Sequence, residues 1–172
     1  IHLNIFKNAK FILKNYQDDR NLIIDKYKSK GYRDAKIVSD TIIRNDEKTV
    51  SIRIKIKEGP QYFFRNIKWV GNTKFPTALL DNILAINKGD VYNPEILDQR
   101  LYMDPNGKDV SSLYMDDGYL FFQVTPAEVY VNEDSVDLEI RVYEGQQAAI
   151  NKVMVSGNDK TNDHVVYREL RT

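Results

Sequence analysis

The chain has 172 residues, and its 25 Lys+Arg are balanced by 25 Asp+Glu at a pI near 6.9. That balance leaves no basic excess to track phosphates, which argues against capture of nucleic acid or anionic lipid. No apolar run approaches the roughly 20 residues of a membrane-spanning helix, and the absence of Cys excludes disulfides and thiolate metal sites.

The chain opens at Ile1 without a leader or initiator Met and reads as a soluble piece of something longer. Residues 1–16 mix apolar and basic side chains (Ile5, Phe6, Phe11, Ile12, Leu13) in no firm pattern. From Asp18 to Lys30 the spacing predicts a helix. Asp18 and Asp19 open it, Lys26, Lys28 and Lys30 close it in keeping with the helix dipole, and Leu22, Ile23, Lys26 and Tyr27 supply a face. Gly31 stands where a left-handed C-terminal cap is needed. Tyr32–Arg44 reads as a strand, Asn45-Asp46 as a turn and Thr49–Lys57 as a second strand. In that second strand Val50, Ile52, Ile54 and Ile56 alternate with Ser51, Arg53, Lys55 and Lys57, the pattern of a sheet covered on one face.

The next stretch is a complete unit. Tyr62–Val70 is a predicted strand with Ile67 and Trp69 on one face, ended by the turn residues Gly71-Asn72. Thr77–Ala85 is a predicted helix with Leu79, Leu80, Ile83 and Leu84 inward. Asn93-Pro94-Glu95 starts a second helix with an N-cap and a first-turn proline. Asp104-Pro105-Asn106-Gly107 interrupts it, and helix resumes near Val110 and ends at Gly118. A hairpin follows, Tyr119–Val131 and Ser135–Glu144, turning at Asn132–Asp134. From Ala148 a further strand runs to Ser156, with a helix start around Asn162–Leu170.

These features recur at a fixed spacing. Val50–Ile56 closing on Glu58-Gly59 returns as Val136–Val142 closing on Glu144-Gly145, and Gly71-Asn72 returns 86 residues later as Gly157-Asn158. Lys30-Gly31-Tyr32 is echoed 87 residues on by Asp117-Gly118-Tyr119. A period of this length means beads in series. Tight junctions such as Glu58-Gly59-Pro60-Gln61 leave the beads little freedom of mutual angle.

No catalytic constellation stands out. His2 and His164 are far apart and read as surface residues. Asp104–Asp109 superficially matches a calcium loop, but its Gly falls two positions early and Met115 replaces the closing Glu, so a solvated turn is the better reading. Gly71-Asn72-Thr73 and Gly157-Asn158-Asp159 lack the further glycines or the Lys of a phosphate loop and read as strand-to-helix turns. Phe63–Trp69 lacks the Gly-aromatic core of an RNA-stacking sheet, and its apolar positions recur in the next repeat as packing residues. What remains is main chain: a three-stranded sheet leaves two edges whose N–H and C=O groups can pair with another chain. The equal alternative is that these edges are solvated or covered by the neighbouring bead. Pro126 interrupts one edge, since proline cannot donate to a ladder.

The order strand-helix-helix-strand-strand, together with Gly31-Tyr32 and Gly118-Tyr119, Glu58-Gly59 and Glu144-Gly145, Gly71-Asn72 and Gly157-Asn158, and the closing Asp163–Arg171, resembles the periplasmic POTRA region of the BamA family. The resemblance covers nearly the whole chain and departs from the family pattern at the Asp104–Lys108 interruption. It implies an α+β fold of tandem POTRA units, each β-α-α-β-β with a three-stranded mixed sheet and two helices on one face. Residues 1–59 would be the later half of the third unit, 60–146 the complete fourth and 147–172 the start of the fifth. It further implies a scaffold in the Gram-negative periplasm, neither an enzyme nor a metal or cofactor protein. Such a scaffold receives unfolded outer-membrane β-barrel proteins and docks accessory lipoproteins, reaching the membrane only through a C-terminal barrel. Strand addition along Lys36, Ile37 and Val38 and along Leu120, Phe121, Phe122, Gln123 and Val124 is the expected binding route, with Gly31, Tyr32, Gly59, Gly71, Gly118, Tyr119, Gly145 and Gly157 as structural residues. The ragged ends also suit head-to-tail self-association of copies. Rival readings are the POTRA region of another carrier, such as a two-partner secretion transporter, and a single-stranded nucleic-acid-binding α/β module.

Overall fold

The computed structural model describes residues 10–157, 160 and 162–170. The readings placed on His2, Ile5, Phe6, Asn158, Asp159 and Arg171 fall outside these residues.

The first helix, α1 (Leu13–Lys28), lies beside an antiparallel pair, β1 (Lys36–Arg44) and β2 (Val50–Lys57). It starts five residues before the predicted Asp18, so Asp18 and Asp19 are not in its first turn, although Lys26 and Lys28 do occupy the last. Its sheet-facing side is set by Tyr16, Arg20, Ile23 and Tyr27 at spacings of four and three, which leaves the predicted Leu22 outside and 64% exposed. Tyr16 donates its hydroxyl to Asp40 on β1 at 2.9 Å, with Arg20 beside the same carboxylate. Of the predicted inward row on β2, Ile54 and Ile56 are half-buried while Val50 and Ile52 are exposed.

β1 begins at Lys36, not Tyr32, because Gly31–Ala35 is consumed in ending the helix. The Tyr32 amide reaches back to the Tyr27 carbonyl, the Gly31 amide to Lys28, and the Ala35 amide to Tyr32. This is the Schellman closure with Gly31 at φ +88° in the left-handed position.

In the second unit, β3 (Phe63–Val70) leads to α2 (Thr77–Leu84). Next comes α3 (Pro94–Asp98), running into a π-helical turn, Gln99–Met103. Then follow α4 (Val110–Asp116), β4 (Gln123–Asn132) and β5 (Ser135–Tyr143). The sheet order is β3-β5-β4, with β5 parallel to β3 and antiparallel to β4, a mixed sheet with its last strand in the centre. Val136, Leu138, Ile140 and Val142 alternate inward from β5 and meet Leu80, Leu84, Leu97, Leu101, Val110 and Tyr114 from the helices. Each such fully buried Leu or Ile contributes about 1.5–3 kcal/mol relative to exposure. A bulge at Arg65 in β3 resets the alternation, so that Phe64, Ile67 and Trp69 share the core face. The Trp69 indole N–H donates to Asp81 on α2 at 2.7 Å, satisfying its polar tip.

The interruption at Asp104–Lys108 is closed by the buried Asp109. Its carboxylate accepts from the Ser112 amide and hydroxyl and from the Asp104 amide, capping α4. Pro126 sits inside a continuous β4, tolerated because β4 is an edge strand.

Two further expectations are corrected. Leu120, Phe121 and Phe122 are not in the edge strand. Tyr119 and Phe122 donate amide hydrogens to the Tyr114 and Tyr119 carbonyls, so the chain is still turning there and β4 starts at Gln123. Ala148–Ser156 does not form a strand. The equivalent strand β3 is held by parallel pairing to β5, and among the described residues no strand pairs with Ala148–Ser156. The helix expected after it is α5 (Asp163–Glu169).

Candidate functional site: turns, junctions and sheet margins

The recurrent glycines form the supports. Gly71, at φ +94°, passes beneath β5, and a Cβ there would lie 2.2 Å from the Val142 carbonyl oxygen. Only glycine fits both the backbone angle and that approach. Gly59, Gly145 and Gly157 are also at positive φ, as are Gly31 and Gly118.

The glutamate before Gly145 is the anchor of its unit. Glu144 accepts from the Thr73 and Lys74 amides at 2.7 and 2.8 Å, from the Thr73 hydroxyl, and from the Tyr114 hydroxyl at 2.9 Å. It thereby ties the β3–α2 turn, the end of α4 and the end of β5 together. Burial alone would raise the Glu144 carboxyl. The donors, led by Thr73 and the Lys74 amide, outweigh it and hold the group below the usual range. The Tyr114 phenol is pushed up by burial and then by this bond. The same two residue types stand 87 and 86 positions earlier as Tyr27 and Glu58, and Glu58 is the chief cause that raises the Tyr27 phenol.

The junction between the first two units has its own grip. The Tyr62 amide donates to the Gly31 carbonyl at 2.8 Å, and the Gln61 side-chain amide to the Lys30 carbonyl at 2.9 Å. Arg33 forks onto Glu128 of β4, which also accepts from the Tyr92 hydroxyl. The Tyr62 hydroxyl donates to Asp34 at 2.7 Å. The bond from Arg33 holds Glu128 below the usual carboxylate range despite its partial burial. At the second junction the main-chain grip returns residue for residue. The Ala148 amide donates to the Gly118 carbonyl at 2.8 Å and the Gln147 side chain to the Asp117 carbonyl at 2.7 Å. A Cβ on Gly31 would collide with Val91 and crowd Gln61 and Tyr62, and one on Gly118 would press on Ala148 and Gln147. The glycine that caps each helix is therefore also the seat of the following unit.

The sheet margins differ from strand to strand. β3 is an edge, but the Tyr62 and Phe64 end of its outer side is bonded to Gly89–Tyr92. Among the described residues, β1 pairs only with β2 and β4 only with β5, so each keeps one unpaired side. Lys36, Ile37 and Val38 open β1, with a bulge between Ile37 and Ser39 that leaves Val38 exposed. Gln123 and Val124 open β4 at the equivalent register, the first exposed and the second buried in the core. Phe122 is also core, stacked on Tyr114 with centroids 4.0 Å apart, while Leu120 and Phe121 are exposed. Sequence reasoning missed Gln61, Gln147, Arg33, Tyr92 and Glu128. The first two carried a signal, since Gln61 and Gln147 recur at the repeat spacing.

A tandem array of small β-α-α-β-β units, seated on one another by a repeated main-chain grip, is the class that these features define. The profile of the POTRA family, described as the surface antigen variable number repeat, matches residues 2–59 and 62–145. Among curated relatives, outer membrane protein assembly factor BamA of Neisseria meningitidis serogroup B is 26% identical over 168 residues, covering 96% of this chain and 20% of that protein. BamA of Nitratidesulfovibrio vulgaris is 30% identical over 146 residues, covering 82% and 18%. The crystal structure of Haemophilus influenzae BamA POTRA3-5 matches with a TM-score of 0.60 at 22% identity, over 96% of this chain and 64% of that one. BamA from Haemophilus ducreyi lacking POTRA domains 1-3 matches at 0.57 and 17%, over 79% and 24%. The chain belongs to the POTRA family and is a BamA-type stretch of it, a periplasmic part of an outer-membrane protein. It spans about a fifth of the length of the curated relatives it matches.

Proposed function

We propose that this chain is a receiving scaffold for outer-membrane protein assembly, on which unfolded β-barrel segments add as an extra strand to the outer side of β1 or β4. Residues 1–59, 60–146 and 147–172 then act as the later half of a third POTRA unit, a complete fourth and the start of a fifth. Accessory lipoproteins dock on the same array, and membrane contact is made through a C-terminal barrel. Lys36, Ile37 and Val38, and Gln123 and Val124, are where an added strand would begin to pair. The reading assigns no catalytic step and no cofactor.

The observation that supports it is the one-sided pairing of β1 and β4 in successive units. Main-chain hydrogen bonds tolerate any side chain, which suits a scaffold with many clients, and pockets for alternate residues add only weak selectivity. Binding of a barrel-derived strand peptide tests this. A scrambled peptide that keeps the alternation binds comparably, and N-methylation of alternate amides on the pairing side abolishes binding. Equal binding of the N-methylated peptide would exclude strand addition.

Self-association is a second reading, supported by the exposed Val50 and Ile52 on β2 and the exposed Ile150 and Val153. The register of β3 on β5 carries over by the repeat spacing. It sets Ile150 of one copy opposite Val50 of another, and Val153 opposite Ile52. Light scattering that rises with concentration and is lost in I150D/V153D is the expected result, and a monomer at all concentrations contradicts it.

A further inference from the structure

We infer that Leu120 and Phe121 form an apolar seat for the unit that residues 147–172 open, so that the second junction is sealed by hydrophobic contact where the first is sealed by ions. The two positions correspond to Arg33 and Asp34, 87 residues earlier. The correspondence is geometric as well as numerical. A Cβ on Gly59 would lie 3.4 Å from the Asp34 Cβ, and one on Gly145 would lie 3.4 Å from the Phe121 Cβ. At the first junction both positions reach the following unit's surface: Arg33 binds Glu128, and Asp34 accepts from Tyr62 as well as from Arg33. The main-chain grip that aims them is reproduced at the second junction by Gly118, Gln147 and Ala148.

The chemistry is exchanged as a set. Where the first junction bonds the Tyr62 hydroxyl to Asp34, the second has Phe121 at the position of Asp34 and Ala148 at that of Tyr62, 87 and 86 residues on. The aromatic ring has moved from the strand side of the seam to the turn side, and the carboxylate and the phenol have both gone. With Ala at 148 and Phe at 121, the second seam holds neither the phenol that donates nor the carboxylate that accepts at the first. Leu120 and Phe121 are 60% and 69% exposed, an apolar pair that an ionic seam could not use. The surface that closes on them is therefore apolar.

This inference rests on the reading that residues 147–172 open a further unit, and the test separates the two. The given sequence holds no Cys, so nitroxide pairs can be placed through N82C with R168C and through K55C with N82C in the full-length protein. In the unaltered background both distance distributions are narrow. L120S/F121S roughly doubles the width for Asn82–Arg168, as expected when two domains lose a hydrophobic seam, and leaves Lys55–Asn82 unchanged. R33A has the opposite effect, and raising salt to 1 M, where the screening length is about 3 Å, broadens only Lys55–Asn82. A narrow Asn82–Arg168 distribution that L120S/F121S does not move overturns the inference. A broad one in the unaltered background overturns the further unit that residues 147–172 are read as opening.

Discussion

A methyl group added at Gly71 has nowhere to go, and that single position measures how tightly the turns are built. G71A sets a Cβ against the Val142 carbonyl at an unfavourable φ and is expected to cost about 3 kcal/mol or more. Gly89 has nearly the same φ, +91°, with open space around it, so G89A is expected to cost only about 1–2 kcal/mol. Urea unfolding of the two variants separates backbone angle from collision. Glu144 gives a pH signature. Its folded-state carboxyl is held low, so its contribution is complete above the unfolded value near 4.5 and is lost as pH falls through the lower folded value. The urea midpoint should therefore drop between about pH 5 and pH 3, and E144Q should flatten part of that drop, Glu128 and Asp137 supplying the rest. The Gly and Glu positions were legible because the repeat displayed each twice. The partners of Glu144 were not, because Thr73, Lys74 and Tyr114 meet it across 30 to 71 residues, and nothing local marks the meeting.

At the level of elements, β5 is the keel of the complete unit and β2 its exposed counterpart. L138A removes a side chain that is 2% exposed at the centre of the sheet and should cost about 2–5 kcal/mol. I52A, on a strand face 43% exposed, should cost less than about 1 kcal/mol. Period-two alternation revealed both strands. It could not tell which was covered, since coverage depends on a partner strand and helices. It also hid the bulge at Arg65, because Phe64 and Ile67 fall on opposite faces of any regular strand. The early start of α1 was hidden for a related reason: Asp18 and Asp19 look like a first turn, but the Tyr16–Asp40 bond carries the helix back past them. The start of β4 was misplaced because Leu120-Phe121-Phe122 has strand composition, while the helix closure through Tyr119 still controls the backbone.

For the molecule as a whole, the beads act as one body only as far as their seams hold. Arg33 and Glu128 join two units across 95 residues of sequence, with Tyr92 as the third member. A double-mutant cycle of R33A and E128A should return a coupling of about 1–3 kcal/mol at low salt, reduced in 1 M salt. No coupling would mean that the main-chain grip alone sets the seam. Whether the array receives strangers as strands is decided by hydrogen exchange on the intact chain with a barrel-derived strand peptide added. The account predicts slowed exchange at alternate amides of Lys36–Arg44 or Gln123–Asn132, with β5 unchanged. Protection confined to the helices, with both strands exchanging as before, would contradict it.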